Sequence, residues 1–319
     1  MCTYNGESYL RAQLESLTHQ SRLPNELVVC DDGSTDGTLD ILYNFSQESP
    51  FKVRVYKNPE NLGVSGNFQR TIELCGGDLI ALADQDDVWL PGKLARLENE
   101  LSKHTAAGIA FCDAEVVDEE LWPLGYTLWE SVDFDPEKFR GSEEQFRRLL
   151  RRNFVTGACM VIRADLLPQA LPIDRLWIHD YWIVTVLTAL GYEVLPVNDR
   201  LVQYRQHTKQ EVGARRGDVA ERLFRGPARW SKVTEEEKKR TSAIEKSLVK
   251  LSASEDRLRE VSRKKHHLKR RLRIHCLPRT RRAAPVLSLV LAGSYKRSAG
   301  GLDDAVKDLL VKREAHGRQ

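Results

Sequence analysis

Two short apolar runs in this chain end in crowded carboxylates, and that pairing constrains the fold more than any other feature. Glu26–Cys30 (ELVVC) leads directly into Asp31–Gly37, and Asp78–Ala83 leads directly into Asp84–Asp87. Both runs are strand-length and apolar enough to be buried. Helical spacings lie around them: Leu10, Leu14 and Leu17, entered through Asn5-Gly6; Leu39, Leu42 and Phe45; Phe68, Ile72 and Cys75; Leu94, Leu97 and Leu101. Lys52–Tyr56 and Gly108–Cys112 read as further strands. Strands alternating with helices predict an α/β fold, a mostly parallel Rossmann-like sheet with helices on both faces. Ligands of such sheets gather beyond the carboxyl ends of the strands, where both acidic clusters stand.

From about Arg140 the pattern is mixed. Phe146, Leu149 and Leu150 suggest a helix, Ala158–Arg163 a strand, His179–Leu190 a nearly all-apolar helix, and Val194–Val197 and Leu201–Arg205 two more strands. After Arg215 the chain becomes highly charged. Thr234–His275 reads as long and helical, its apolar seam interrupted at Glu255 and Lys265. The expected division is therefore residues 1–215 as one domain and 216–319 as a helical, basic C-terminal extension.

Charge is uneven. The 319 residues carry a formal net charge of +3, yet Arg257 to Arg282 hold 12 Lys or Arg and one acid, Glu260, a local charge of +11. The remainder is therefore about −8 (3 minus 11). Three readings of the basic run stand: a solvated helix, peripheral contact with an anionic membrane at roughly 1 kcal/mol per basic residue, or nucleic-acid binding, disfavoured because few aromatics are interleaved for stacking. The six cysteines show no metal-ligand spacing and read as free thiols in a reducing compartment. No signal peptide opens the chain, and the apolar run Ala283–Gly293 is too short to span a bilayer. The expectation is a cytoplasmic protein, with peripheral attachment at the inner face of the cell membrane open.

Five segments carry chemistry. In CDDGSTDG, from Cys30, the acids can accept hydrogen bonds from a base or ribose, or the segment is a turn with a helix cap. Asp84, Asp86 and Asp87 lie within four residues and repel one another, which a half-buried site tolerates when a divalent cation neutralises them. The competing reading is a solvated turn before a helix, although the apolar LIALA strand ahead argues for a central position. Asp180 heads a buried helix among aromatics, as a cap or as a general base whose pKa desolvation raises. Thr156-Gly157 permits close approach of a ligand, or is a packing glycine. Tyr204-Arg205-Gln206-His207 could meet a diphosphate, or is a surface strand end.

Taken in order, these segments resemble the family 2 glycosyltransferases of the GT-A fold, and within them the bacterial rhamnosyltransferase-like subgroup. The matching residues are TYNGESYL from Thr3, DDGSTDGT from Asp31, NLGVSGNF from Asn61, DQDDVWLPGKL from Asp84, TGACMVI from Thr156, HDYW from His179 and YRQH from Tyr204. The resemblance spans roughly residues 1–215. It implies that Thr3, Tyr4, Asp31, Asp32 and Asp84 contact the donor nucleotide. It further implies that Asp86 and Asp87, with Asp84, hold Mg²⁺ or Mn²⁺, and that Asp180 is the catalytic base. Thr156, Gly157, Arg205 and His207 would lie near the acceptor or donor sugar.

The implied reaction is inverting transfer of a sugar, rhamnose in this subgroup, from a dTDP- or UDP-linked donor to a hydroxyl of a cell-surface or lipid-linked glycan. Rivals are a sugar nucleotidyltransferase, for which Asn5-Gly6-Glu7 lacks the usual basic Gly-rich loop, and a non-catalytic sugar-nucleotide-binding module. Two departures stand out. The family opens with a buried strand ahead of the TYN segment, whereas only Met1 and Cys2 precede Thr3 here, so an incomplete N-terminus and a gap beside the second strand are expected. After His207 the family often continues with Gly and Asn, where this chain has Thr208, Lys209 and Gln210.

Overall fold

A computed structural model describes residues 1–208, 210 and 229–311. In chain order the main elements are β1 (Cys2–Thr3), α1 (Leu10–Thr18), β2 (Glu26–Asp31), α2 (Thr38–Glu48), β3 (Lys52–Lys57), α3 (Gly63–Leu74), β4 (Leu79–Ala81), β5 (Val88–Trp89), α4 (Lys93–Lys103), β6 (Ala107–Val117), β7 (Pro123–Thr127), α5 (Leu128–Ser131), α6 (Ser142–Leu149), β8 (Met160–Arg163), α7 (Leu167–Ala170), α8 (His179–Ala189) and β9 (Glu193–Arg205). They continue with α9 (Arg229–Lys250), α10 (Glu255–His275), α11 (Ala283–Leu291), α12 (Ser294–Ser298) and α13 (Leu302–Leu310). The chain divides into two compact units, one of Met1–Gln145 with Asn153–Arg216, the other of Phe146–Arg152 with the residues from 217 on. The boundary expected at 215/216 itself lies outside the described residues.

The first unit has the expected α/β, GT-A-like architecture. β1, β2 and β3 form a parallel sheet. A second sheet runs β4-β8-β6-β9-β5, with β7 added on β6. There only β6 and β9 are parallel; the remaining ladders are antiparallel. Parallel pairing needs a long crossover, whereas β7 follows β6 through a short turn and can only return antiparallel. The long strand β6 is almost wholly buried, with Ile109, Ala110 and Phe111 inaccessible. Helix α8 is buried on all sides, as its nearly unbroken apolar sequence requires. Val194–Val197 and Leu201–Arg205, expected as two strands, are one strand that follows β6 through register shifts.

A groove of about 210 Å³ lies between Glu26–Val28 of β2 and Leu79–Ala81 of β4, with Leu17, Trp89 and Leu94 among its walls. β1 pairs with β2 only at Cys2 and Thr3, and the Met1 ammonium donates to the Val28 carbonyl at 2.8 Å.

In the second unit the segment expected as one helix is two. The break falls between α9 and α10, where Ser252 takes φ 55° and the Ser254 hydroxyl caps α10 by accepting from Arg257 N–H. The helices α9 and α10 pack as a pair, joined by the ion pairs Lys264–Glu237 at 2.7 Å and Lys265–Glu245. Ile274, Val286, Leu289, Tyr295, Ala299 and Ala305 form the apolar core. Much of the basic run turns inward: Arg257, Lys264, Arg271 and Arg282 are buried. Arg271 donates twice to Asp308, at 2.8 and 2.9 Å, and Asp308 also accepts from His275 and from the Tyr295 hydroxyl. No helix among the described residues is long and apolar enough to cross a membrane.

Candidate active site

The loop after β2 is built by its own carboxylates. Asp31 is fully buried; it accepts from the Thr3 hydroxyl at 2.8 Å, the Ser34 hydroxyl at 2.5 Å, and the Gly33 and Ser34 N–H groups. Gly33 turns the chain at φ 91°, a conformation side chains resist. Asp32 accepts from the Leu62 and Gly63 N–H groups and from the Asn58 side-chain amide, pinning the start of α3 against the loop. Thr3, Asp31 and Asp32, read from the sequence as nucleotide contacts, thus spend their polar atoms shaping the loop. Tyr4, by contrast, is 52% exposed and presents its ring to solvent. Its backbone is clamped by the Gln85 side chain, which accepts from Tyr4 N–H at 2.9 Å and donates to Tyr4 C=O at 3.0 Å.

Gln85 belongs to the second acidic loop, between β4 and β5. Burial, then the charges of Asp86 and Asp180, push the Asp84 carboxyl up to about 7. Asp180 therefore lies within electrostatic reach of this loop, although 96 residues separate it from Asp84 in sequence (180 minus 84). Asp87 is completely buried; Arg205 N–H donates to its Oδ1 at 3.1 Å, while its Oδ2 has no hydrogen-bond partner. Burial, with Asp86 and Asp84 adding repulsion, holds its carboxyl well above the usual range. Asp86 meets His207, Nε2 to Oδ2 at 2.9 Å. The His207 ring stacks on Tyr9 with centroids 4.5 Å apart.

Arg205 is buried, donates from Nε to the Asp86 carbonyl at 2.7 Å, also bonds the Glu119 carbonyl, and lies 4.8 Å from the Tyr9 ring centroid. It braces the acidic loop because β9 carries it directly beside that loop. His207 joins Asp86 at the same loop. Among the described residues no three His, Cys, Asp or Glu side chains form a ready-made metal cluster.

Asp180 opens α8. Its Oδ2 accepts from the Gly157 N–H at 2.8 Å, and its Oδ1 from the Asn153 amide at 3.3 Å and from Tyr181 N–H. Burial raises its pKa to about 6 against these hydrogen bonds. Thr156 and Gly157 thus lie beside Asp180, Gly157 opening a short 3-10 turn, Gly157–Cys159, that precedes β8. A Cβ on Gly157 would come within 3.0 Å of His179 Nε2 and 3.6 Å of Asp180 Oδ2. His179 is stacked on Phe68, centroids 3.7 Å apart, and burial lowers its pKa to about 3, so the imidazole is neutral.

Sequence reasoning missed Gln85, Asn153 and Asn58 as organisers of the site. An amide set between carboxylates in DQDD, and one opening NFVTG, were the available signals; their partners lie far off in the chain.

The model of Glycosyl transferase family 2 matches residues 1–170, just over half of the chain. An uncharacterized protein of Mycobacterium tuberculosis is 28% identical over 218 residues, 64% of this chain and 57% of that protein. A dTDP-rhamnosyl transferase of Shigella flexneri is 36% identical over 98 residues, 30% of this chain and 34% of that protein. An uncharacterized glycosyltransferase of Nostoc is 26% identical over 212 residues, 64% of this chain and 62% of that protein. The chain thus spans less than two thirds of the length of these relatives. In fold it is similar to residues 1–349 of S. aureus TarS, solved with UDP-GlcNAc, with a TM-score of 0.57 at 15% identity over 97% of this chain and 88% of that one. On its family match, its acidic loops and its GT-A-like sheet, the chain belongs to glycosyl transferase family 2.

Proposed function

We propose that this chain is a metal-assisted, inverting glycosyltransferase that moves a sugar from a nucleoside-diphosphate donor to a hydroxyl of a glycan or lipid-linked glycan. The observation that carries this reading is the buried Asp180 carboxylate, raised to about 6, in the same electrostatic field as the acidic loop. A base poised just below neutral pH can accept a proton from a sugar hydroxyl while ionised in most molecules.

The acidic loop fits a divalent cation. Asp86 and His207 already converge, Asp84 is held up by its neighbours' charge, and buried Asp87 leaves one oxygen without a partner. Mg²⁺ or Mn²⁺ takes few protein ligands and completes its shell with phosphate oxygens; Asp86, joined by His207 or Asp84, would be the side chains that hold it. When bound, the ion would neutralise the charge that develops on the diphosphate. Asp87, turned inward, sets the strand end through Arg205 N–H. Tyr4 offers its exposed ring to the base, and the loop built by Thr3, Asp31 and Asp32 holds that ring in place.

Asp180 Oδ accepts the proton of the acceptor hydroxyl. That oxygen bonds the anomeric carbon from the face opposite the diphosphate, whose C–O bond breaks with the electron pair leaving on the diphosphate oxygen. Gly157 and Asn153 hold Asp180 in one orientation throughout. Rhamnose from a dTDP donor is favoured by the Shigella relative, while UDP donors stay open. Peripheral contact with an anionic membrane would fall to Lys269, Arg273, Arg279 and Arg281, which remain exposed within 257–282.

The test is a thermal-shift and turnover screen of dTDP- and UDP-sugars with and without Mn²⁺. A donor should raise the melting temperature more with the ion, and product NMR should give the inverted anomer. Asp180→Asn should bind the donor without turnover. Absence of any donor-dependent shift across the screen would sink the reading.

A further inference from the structure

Lys93 lies in the first turn of α4, inside the DQDDVWLPGKL segment, and is completely buried. Among the described residues no carboxylate lies within ion-pair reach of it. Its Nζ donates to the Ala158 carbonyl at 2.5 Å and sits 3.1 Å from the centroid of the Trp89 ring. A lone ammonium is costly to bury and persists only where its surroundings repay it. Here the repayment comes from two contacts, the ring face of Trp89 and the Ala158 carbonyl.

The two contacts belong to different parts of the site. Trp89 is two residues past Asp87 on the acidic loop side. Ala158 is the middle residue of the 3-10 turn whose first residue, Gly157, donates its N–H to Asp180. We infer that Lys93 is a positioning residue: it ties the acidic loop to the Gly157–Cys159 turn and so keeps Asp180 aligned with the donor. The inference rests on the glycosyl-transfer reading above. A single tie of this kind suits the chemistry, because leaving group and base must act on opposite sides of one anomeric carbon. Burial draws the Lys93 pKa down to about 8, which leaves the ammonium mostly charged at neutral pH.

Lys93→Met keeps the apolar stem and removes the cation. With the full chain, kcat should fall about tenfold or more while KM for the donor changes little, since misplacing a base affects the transition state more than ground-state binding. In parallel, hydrogen exchange at the Gly157 amide should accelerate about tenfold while the β6 amides keep their protection. Adding propylammonium to Lys93→Ala should restore part of both, and this arm serves equally if Lys93→Met does not fold. An unchanged Gly157 exchange rate, or a uniform loss of protection through β6, overturns the inference. Were the wild-type chain to transfer no sugar from any donor, the glycosyl-transfer reading would fail, and the exchange and rescue arms would still decide whether Lys93 holds the turn.

Discussion

The Gly157 N–H and the Asp180 Oδ2 are joined by a 2.8 Å hydrogen bond across 23 residues of chain. That bond fixes the Asp180 carboxylate against the Gly157–Cys159 turn, and it lowers a pKa that burial raises. Space at Gly157 is tight, because a Cβ there would meet His179, which is stacked on Phe68.

Gly157→Ala should therefore damage catalysis more than folding. The added methyl meets His179 Nε2 at 3.0 Å, so the ring or the turn that carries the Gly157 N–H must give by a few tenths of an ångström, while Asp180 Oδ2 at 3.6 Å is in ordinary contact. Steady-state kinetics should show kcat reduced roughly 10- to 100-fold, with a melting temperature close to wild type.

Asp180→Asn should separate activity from stability. Loss of the base should lower kcat by about 10²–10⁴. Stability at pH 7–8 should rise by about 1–3 kcal/mol, since the wild-type pKa moves from 3.8 unfolded to about 6 folded. The sign follows from the direction: a raised carboxylate pKa means the native state binds the extra proton. Its stabilising effect is full below pH 3.8 and is lost as pH rises through about 6. Chemical denaturation at pH 4 and pH 8 checks this; a variant gain that is equal at both values would refute it.

The pH profile of turnover should carry an acidic limb near 6, with activity rising as Asp180 ionises. Lys93→Met should move that limb upward, as the Gly157 hydrogen bond that favours the anion slackens.

In the C-terminal unit, Asp308→Asn should destabilise strongly. Although burial opposes its charge, hydrogen bonds from His275 and Arg271 bring the Asp308 pKa to about 2. Removing that charge leaves buried Arg271 with Asp304, at 3.2 Å, as its remaining counter-charge, a loss of about 3–5 kcal/mol. The wild-type contribution should be present above pH 3.8 and disappear as pH falls toward 2, visible as a drop in melting temperature for the wild type alone.

Much of the site was legible along the chain because its parts follow strand ends. CDDGSTDG and DQDDVW were recognisable from residues alone, and Asp180 from an acid heading an apolar helix. What could not be read were partners. Arg205 and His207 pass for a polar strand end until β9 is seen beside the acidic loop. Lys93 passes for an ordinary helix-start lysine until Trp89 and Ala158 enclose it.

Local patterning thus determined the alternation of strands and helices, the acidic strand ends and the apolar α8, since these depend on periods of a few residues. Only the tertiary structure decided the antiparallel half of the sheet, the inward turn of Arg271 and Arg282, and which carboxylates face one another. Each of these depends on groups brought together from distant parts of the chain, where burial and mutual charge, properties of the assembled site, set the outcome.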